Sequence, residues 1–171
     1  MTSALPAVAA VSLFAVLTAS PCPAADLPMP EGPVVLTITG AIGNTNGEGR
    51  ADLDFAMLEE IGGAEIVTDT IWTTQAHRFT GVRLRDLLDY VAADGETVIA
   101  AAINEYKVEI PLSDATEDGP IVAYAIDGER MSRREKGPLW VIYPFARSPD
   151  FRTEVIYTRS IWQLSRMEIT D

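Results

Sequence analysis

The stretch from Ile121 to Pro144 restricts the possible folds more than any other. It begins as an apolar run, Ile121-Val122-Ala123-Tyr124-Ala125-Ile126, and turns on Asp127-Gly128. Both positions of an Asp-Gly pair tolerate positive φ, so a tight hairpin turn is expected there. A basic, polar segment follows with Arg130, Arg133, Arg134 and Lys136, and Gly137-Pro138 breaks it. The chain then returns to the interior as Leu139-Trp140-Val141-Ile142-Tyr143, closed by Pro144. Two buried strands therefore flank an exposed basic loop.

The 171 residues suffice for one domain with a sizeable core. With 47% hydrophobic and 22% charged residues, disorder is excluded as the main state. A formal net charge of −12 argues against a nucleic-acid partner, because counterion release needs a basic surface. Residues 1–25 read as a secretory signal peptide, which leaves one domain at residues 26–171 and places the mature protein in the periplasm. The apolar run at residues 8–19 is too short to span a bilayer, and Ala24 and Ala25 offer a cleavage site. The one cysteine, Cys22, lies inside this segment. Pro21 before it spoils a lipoprotein motif, so no membrane anchor is expected. The mature chain then has no thiol for a disulfide, a metal or nucleophilic catalysis.

Along the mature chain, residues 26–33 form a Pro-rich extended lead, and the β-branched residues 34–40 read as a first strand. Residues 41–50 are rich in Gly and Asn and read as a mobile surface loop. Asp52 is a candidate cap for a short helix carrying Leu53, Met57, Leu58 and Ile61, stopped by Gly62-Gly63. A second strand is expected at residues 64–72. Leu84, Leu87, Leu88 and Val91 recur at i, i+3, i+4 and i+7, which predicts an amphipathic helix over residues 83–91. Residues 97–103 read as a buried strand paired with the alternating residues 106–110. Residues 144–160 look irregular, and residues 161–169 read as a last strand. Strands interrupted by two helices without a steady βαβ rhythm give an α+β class with a mixed sheet.

In order and spacing these features resemble the molybdopterin-binding domain of the sulfite oxidase family, over residues 34–169. The resemblance rests on Asp127-Gly128-Glu129, Met131, Glu135-Lys136-Gly137 and Pro138-Leu139. It extends to Phe79, Gly81-Val82, Leu84, Leu87-Leu88 and to Ile161-Trp162-Gln163-Leu164 with Met167-Glu168-Ile169. Lys136 stands where that family usually has His, and Trp140 where it usually has Arg. The resemblance implies a cofactor held between the segment of residues 69–78 and the segment of residues 136–140. In the family a cysteine thiolate in the first segment holds molybdenum. Here that segment reads DTIWTTQAHR and contains no cysteine. The hydroxyls of Thr73 and Thr74 are poor donors for such a soft site.

His77 is the only histidine and has no Cys or His companion, so no metal site is expected from it. Seven of the thirteen Lys and Arg residues fall between residues 130 and 159, in a chain that is otherwise acidic. Arg133, Lys136 and Arg147 in that span suit an anion. The candidate ligand-binding residues are therefore Trp72, Thr73, Thr74, His77, Arg133, Lys136, Trp140, Tyr143 and Arg147. Trp72 and Lys136 are expected to converge on one concavity, with Trp140 narrowing it and Trp140→Arg reopening it. The expected function is binding of a small anionic or aromatic ligand, or of a periplasmic protein partner, with no cofactor. A molybdopterin-dependent oxidoreductase with a non-thiolate metal site and a purely interacting accessory subunit remain as alternatives.

Protein recovered from the periplasm is expected to begin near Ala25 or Asp26, without lipid at Cys22. Intact mass measurement checks this, and a species retaining residues 1–24 would contradict it.

Overall fold

The computed structural model describes residues 26–171. The signal-peptide expectation for residues 1–25, and Cys22 with it, lies outside them. In chain order the elements begin with β1 (Leu36–Gly40), β2 (Arg50–Leu53), α1 (Phe55–Ile61), β3 (Ala64–Thr68) and β4 (His77–Arg83). Next come α2 (Leu84–Tyr90), β5 (Thr97–Ala102), β6 (Lys107–Pro111), β7 (Ile121–Ile126) and β8 (Glu129–Arg130). β9 (Trp140–Ile142), α3 (Glu154–Arg159) and β10 (Leu164–Thr170) complete the chain.

The strands form two sheets rather than one. The first has the order β2-β1-β10-β5-β6 and is mixed, because β1 and β10 run parallel while their other neighbours are antiparallel. The second is antiparallel: β3, β4 and β7 in order, with β8 and β9 sharing the far edge of β7. The class is α+β with few helices, as the pattern of runs implied. No helix among the described residues is long and apolar enough to cross a membrane.

β7 is buried from Ile121 through Ala125. Its alternate side chains enter different clusters. Val122 and Tyr124 join the large core with Leu84, Leu87 and Leu88 of α2, whereas Ile121 and Ala123 join Phe79, Trp140 and Ile142. The Asp127-Gly128 turn that follows has φ of +50° and +87°, the mirror-image geometry that matches strand twist and closes β7 onto β8. Close sheet packing also explains Gly81. A Cβ there would lie 2.2 Å from the carbonyl oxygen of Val122, so β4 could not approach β7 with any larger residue.

Several local expectations are corrected. Asp52 does not cap α1; it lies in β2, where its carboxylate accepts from Thr37 Oγ1 at 2.7 Å. The cap is Asp54, whose Oδ1 accepts from Met57 N at 3.0 Å and whose Oδ2 accepts from Gly32 N at 2.6 Å. The loop over residues 41–50 is pinned rather than mobile. Asn44 Nδ2 donates to the Tyr90 carbonyl, and Asn46 Nδ2 to those of Pro28 and Asp52, each at 2.8 Å. The strand expected over residues 64–72 stops at Thr68, and the irregular stretch of residues 144–160 contains α3. Trp162 lies outside β10 and makes an isolated bridge to Trp140.

Backbone N–H donors from Met57 and Gly32 hold the Asp54 carboxyl below its ordinary range. Its contribution is therefore complete above the unfolded-state value and is lost as pH falls through the lower folded value. Asp54→Ala is expected to cost about 1–2 kcal/mol at pH 7. Urea unfolding measures this, and the gap between variant and wild type should begin to narrow at about pH 4 and shrink further as pH falls through the lower folded value.

Candidate functional site

The site is built on a turn that follows β3. Thr70 and Thr73 lock it, their hydroxyl oxygens 3.1 Å apart, with Trp72 N donating to Thr70 Oγ1 at 3.1 Å. Asp69 beside it accepts from Arg152 Nη2 at 2.8 Å, and Thr68 Oγ1 accepts from Ala146 N at 2.9 Å. These contacts fix the direction of Trp72. Its ring meets Trp162 at 5.5 Å, Trp140 at 5.8 Å and Tyr157 at 5.9 Å, all edge-to-face. Such pairs contribute about 0.5–1.5 kcal/mol each beyond their buried area.

A cleft of about 380 Å³ opens beside this cluster, and Trp72, Tyr157, Trp162, Tyr106, Asn104 and Gln163 are its principal walls. No charged side chain lines it, although the chain carries a net charge of −12. Trp162, 38% exposed, and Tyr106, 53% exposed, present their rings at the rim. Lys136 stands behind Trp162, its Nζ 5.4 Å from the ring centroids of both Trp140 and Trp162, within cation–π range. The Lys136 backbone is left-handed at φ +79°, and its carbonyl accepts from Gln163 N at 2.9 Å. Gln163 Nε2 donates to the Arg133 carbonyl at 2.7 Å, so the basic loop is strapped to the lip of the cleft.

Charge partners separate two groups of cations. Nine arginines sit in ion pairs, among them Arg130 with Glu59, Arg147 with Asp118, Arg152 with Asp69 and Arg159 with Asp114. Among the described residues Arg133, Arg134, Lys136 and Lys107 make no ion pair, and three of those four adjoin one another in the loop. Glu135 in the same loop bonds Ser132 Oγ at 3.1 Å instead.

The candidates from the sequence are thus partly assembled. Trp72 lines the cleft, whereas Lys136 does not line it and lies over the ring of Trp162, and Arg133 reaches the cleft only through Gln163. Trp140 does not wall the cleft: it is fully buried and its Nε1 donates to the Ser160 carbonyl at 3.1 Å. It forms the support beneath Trp72 and Trp162, with Phe79 at 5.5 Å on its far side. Trp140→Arg would bury a guanidinium among these rings rather than reopen a site. Thr73 is committed to the turn, and Thr74 is exposed beyond it. His77 Nδ1 faces Asp127 Oδ2 at 2.7 Å, which ties the start of β4 to the β7–β8 turn, away from the cleft. That contact, followed by the Arg78 N–H, holds the Asp127 carboxyl below its usual range. Tyr143 is buried, and its hydroxyl donates to Asp114 Oδ2 at 2.7 Å. Burial, reinforced by that carboxylate, pushes the phenol well above the ordinary tyrosine range. Arg147 lines a separate concavity with Glu65 and Asp118.

Trp162, Tyr157, Tyr106 and Gln163 were not among the candidates. Tyr157 had a local signal in Thr153, Glu154 and Arg159, a cap with charges placed to suit the helix dipole. Trp162 and Gln163 stood in the Ile161-Trp162-Gln163-Leu164 run that carries the family resemblance, but nothing in that run marked either as a site residue.

Residues 47–148 match the family described as the oxidoreductase molybdopterin binding domain. No curated protein sequence matches the chain. Among solved structures, the sulfane dehydrogenase SoxCD from Paracoccus pantotrophus superposes with a TM-score of 0.57 at 17% identity. That match covers 80% of this chain and 38% of the other, and at this identity it speaks for the fold. With more than half of its residues inside the family match, the chain belongs to the oxidoreductase molybdopterin binding domain family.

Proposed function

We propose that this protein is an exported, small-ligand-binding member of its family, which holds a flat heteroaromatic ring bearing an anionic group and does not tie molybdenum through a thiolate. One observation carries the reading: Trp72, Tyr157 and Trp162 line an uncharged cleft, and a lysine without an ion pair stands behind Trp162. Aromatic walls suit a planar π-system; Asn104 Nδ2 remains to donate and Gln163 Oε1 to accept, while Gln163 Nε2 is held by the Arg133 carbonyl and Asn104 Oδ1 by Tyr106 N. Lys136 then supplies the charge that an anionic substituent seeks, in an otherwise acidic molecule.

The organic part of a pterin cofactor fits such a cleft; a thiolate-bound metal does not fit the donors present. The segment of residues 69–78 contains no sulfur, and Thr73 Oγ1 is taken up by Thr70. Among the described residues no three His, Cys, Asp or Glu side chains gather as a metal cluster. What the chain's own residues do is bind and orient: the rings set the plane of the ligand, the amides its register, and Lys136 its polarity.

Purified protein is expected to carry well under one molybdenum per chain. Elemental analysis with pterin analysis of protein from its own periplasm checks this, and stoichiometric metal would restore the oxidoreductase reading. A pterin carboxylate is expected to quench the tryptophan fluorescence on binding. Lys136→Ala should weaken it by about 1–3 kcal/mol, the upper end being that of a direct hydrogen bond to a charged group. Trp162→Ala should weaken the carboxylate and its uncharged analogue alike, whereas Lys136→Ala should spare the analogue. Equal binding by all three proteins would sink the site.

A further inference from the structure

A second concavity lies across a narrow ridge from the aromatic cleft. The ridge is Ile103 and Gln163, joined by Ile103 N donating to the Gln163 carbonyl at 2.9 Å. Beyond it Val34, Val35, Phe55 and Pro138 form an apolar hollow of about 290 Å³ with Arg133 at its border. Val34 is 48% exposed and Ile103 40% exposed, both on a monomer surface where such residues gain nothing from water. Phe55 is held in place from behind: the Arg130 guanidinium stacks 4.1 Å from its ring centroid and 4.5 Å from that of Tyr124. The hollow is thus a supported surface, although too small for a whole cofactor. Its volume is at the lower end of ligand pockets, about 300 Å³, which suits one side-chain anchor.

We propose that this hollow and the loop beside it dock an acidic, extended segment of a partner protein, with an aliphatic side chain in the hollow and carboxylates on Arg133 and Arg134. Charge complementarity carries the choice of occupant. Arg133 and Arg134 are exposed and without ion pairs, while nine other arginines are paired within the chain. The chain carries a net charge of −12, so clustered unpaired cations such as those of this loop are where a carboxylate-bearing partner finds attraction. Arg133 and Arg134 are consecutive exposed residues of one short turn, and Arg133 borders the hollow, so together they offer more positive charge than one small anion needs. They match successive acidic residues on a chain whose apolar anchor fixes the register.

The test is selection of a random peptide display library on the full-length protein, followed by anisotropy titration of the enriched peptides. Peptides with acidic residues flanking an aliphatic one should be enriched. Their affinity should fall about tenfold or more in Arg133→Glu/Arg134→Glu and in Val34→Asp, and should weaken with salt. Lys107→Glu, an unpaired cation elsewhere, should leave binding within about threefold. Val34→Asp should also leave titration with the pterin carboxylate unchanged, which separates this surface from the aromatic cleft. Enrichment of basic or uncharged peptides, no enrichment, or an equal loss in Lys107→Glu would overturn the proposal. So would sedimentation with phosphatidylglycerol vesicles in place of peptide binding, or Arg133-dependent self-association in light scattering.

Discussion

Val122 and Tyr124 of β7 point into one hydrophobic cluster, and Ile121 and Ala123 point into the other, so this strand has no face that water can reach. A strand in that position cannot lie at the edge of a sheet, since its unpaired N–H and C=O groups would be buried without partners. β4 supplies the ladder on one side, and β8 and β9 divide the other between them. That division has a geometric consequence. The chain leaves the edge after β8 and must return to the same edge for β9, so the intervening residues project outward as a loop. The basic loop stands beside the tryptophans because β9 begins with Trp140, whose ring falls into the second cluster.

The parts of this architecture written in local patterns were legible in the sequence. The apolar runs of β5, β7 and β9, the i, i+3, i+4 spacing in α2 and the Asp127-Gly128 turn each carry their own physical cause. What was not legible depended on distant pairing. Asp52 and Asp54 are equally good caps by residue type, and only the ladder of β2 on β1 decides that Asp52 belongs to a strand. α3 contains Val155, Ile156, Tyr157 and Thr158, residues of modest helix propensity, and tertiary contacts override that preference. The candidate site divides the same way. Trp72 and Lys136 were found through a family resemblance between segments, whereas Trp162 and Tyr157 join them only because a bridge sets Trp162 opposite Trp140. Burial also decided Trp140 itself, which has apolar neighbours on both sides and behaves as core.

The charge distribution has a similar logic. Most of the ion pairs are between exposed groups, and pairs of that kind contribute about 0–1 kcal/mol each. Their effect on stability is small. Their effect on recognition is larger, because nine arginines are already neutralised by near neighbours and offer little to a ligand or partner. The unpaired cations of the loop therefore dominate the attractive field of an acidic molecule, out of proportion to their number.

α3 is six residues long, and isolated helices need about 12–15 residues to be even marginal in water. It supplies Tyr157 and Thr158 to the cleft, yet it exists only through its attachments. Beside the Thr153 cap and the ring contacts of Tyr157, its polar ties to the rest of the chain lie at its C-terminal end: Arg159 to Asp114 at 2.9 Å, and Ser160 through its carbonyl to Trp140. Asp114 in turn holds the buried Tyr143 hydroxyl, so the far wall of the cleft is moored to the core by a short polar relay. A wall moored in this way keeps its shape only as long as the relay behind it does. Under the proposed reading, affinity at the cleft would be set in part by Asp114, Tyr143 and Arg159, three side chains outside its lining.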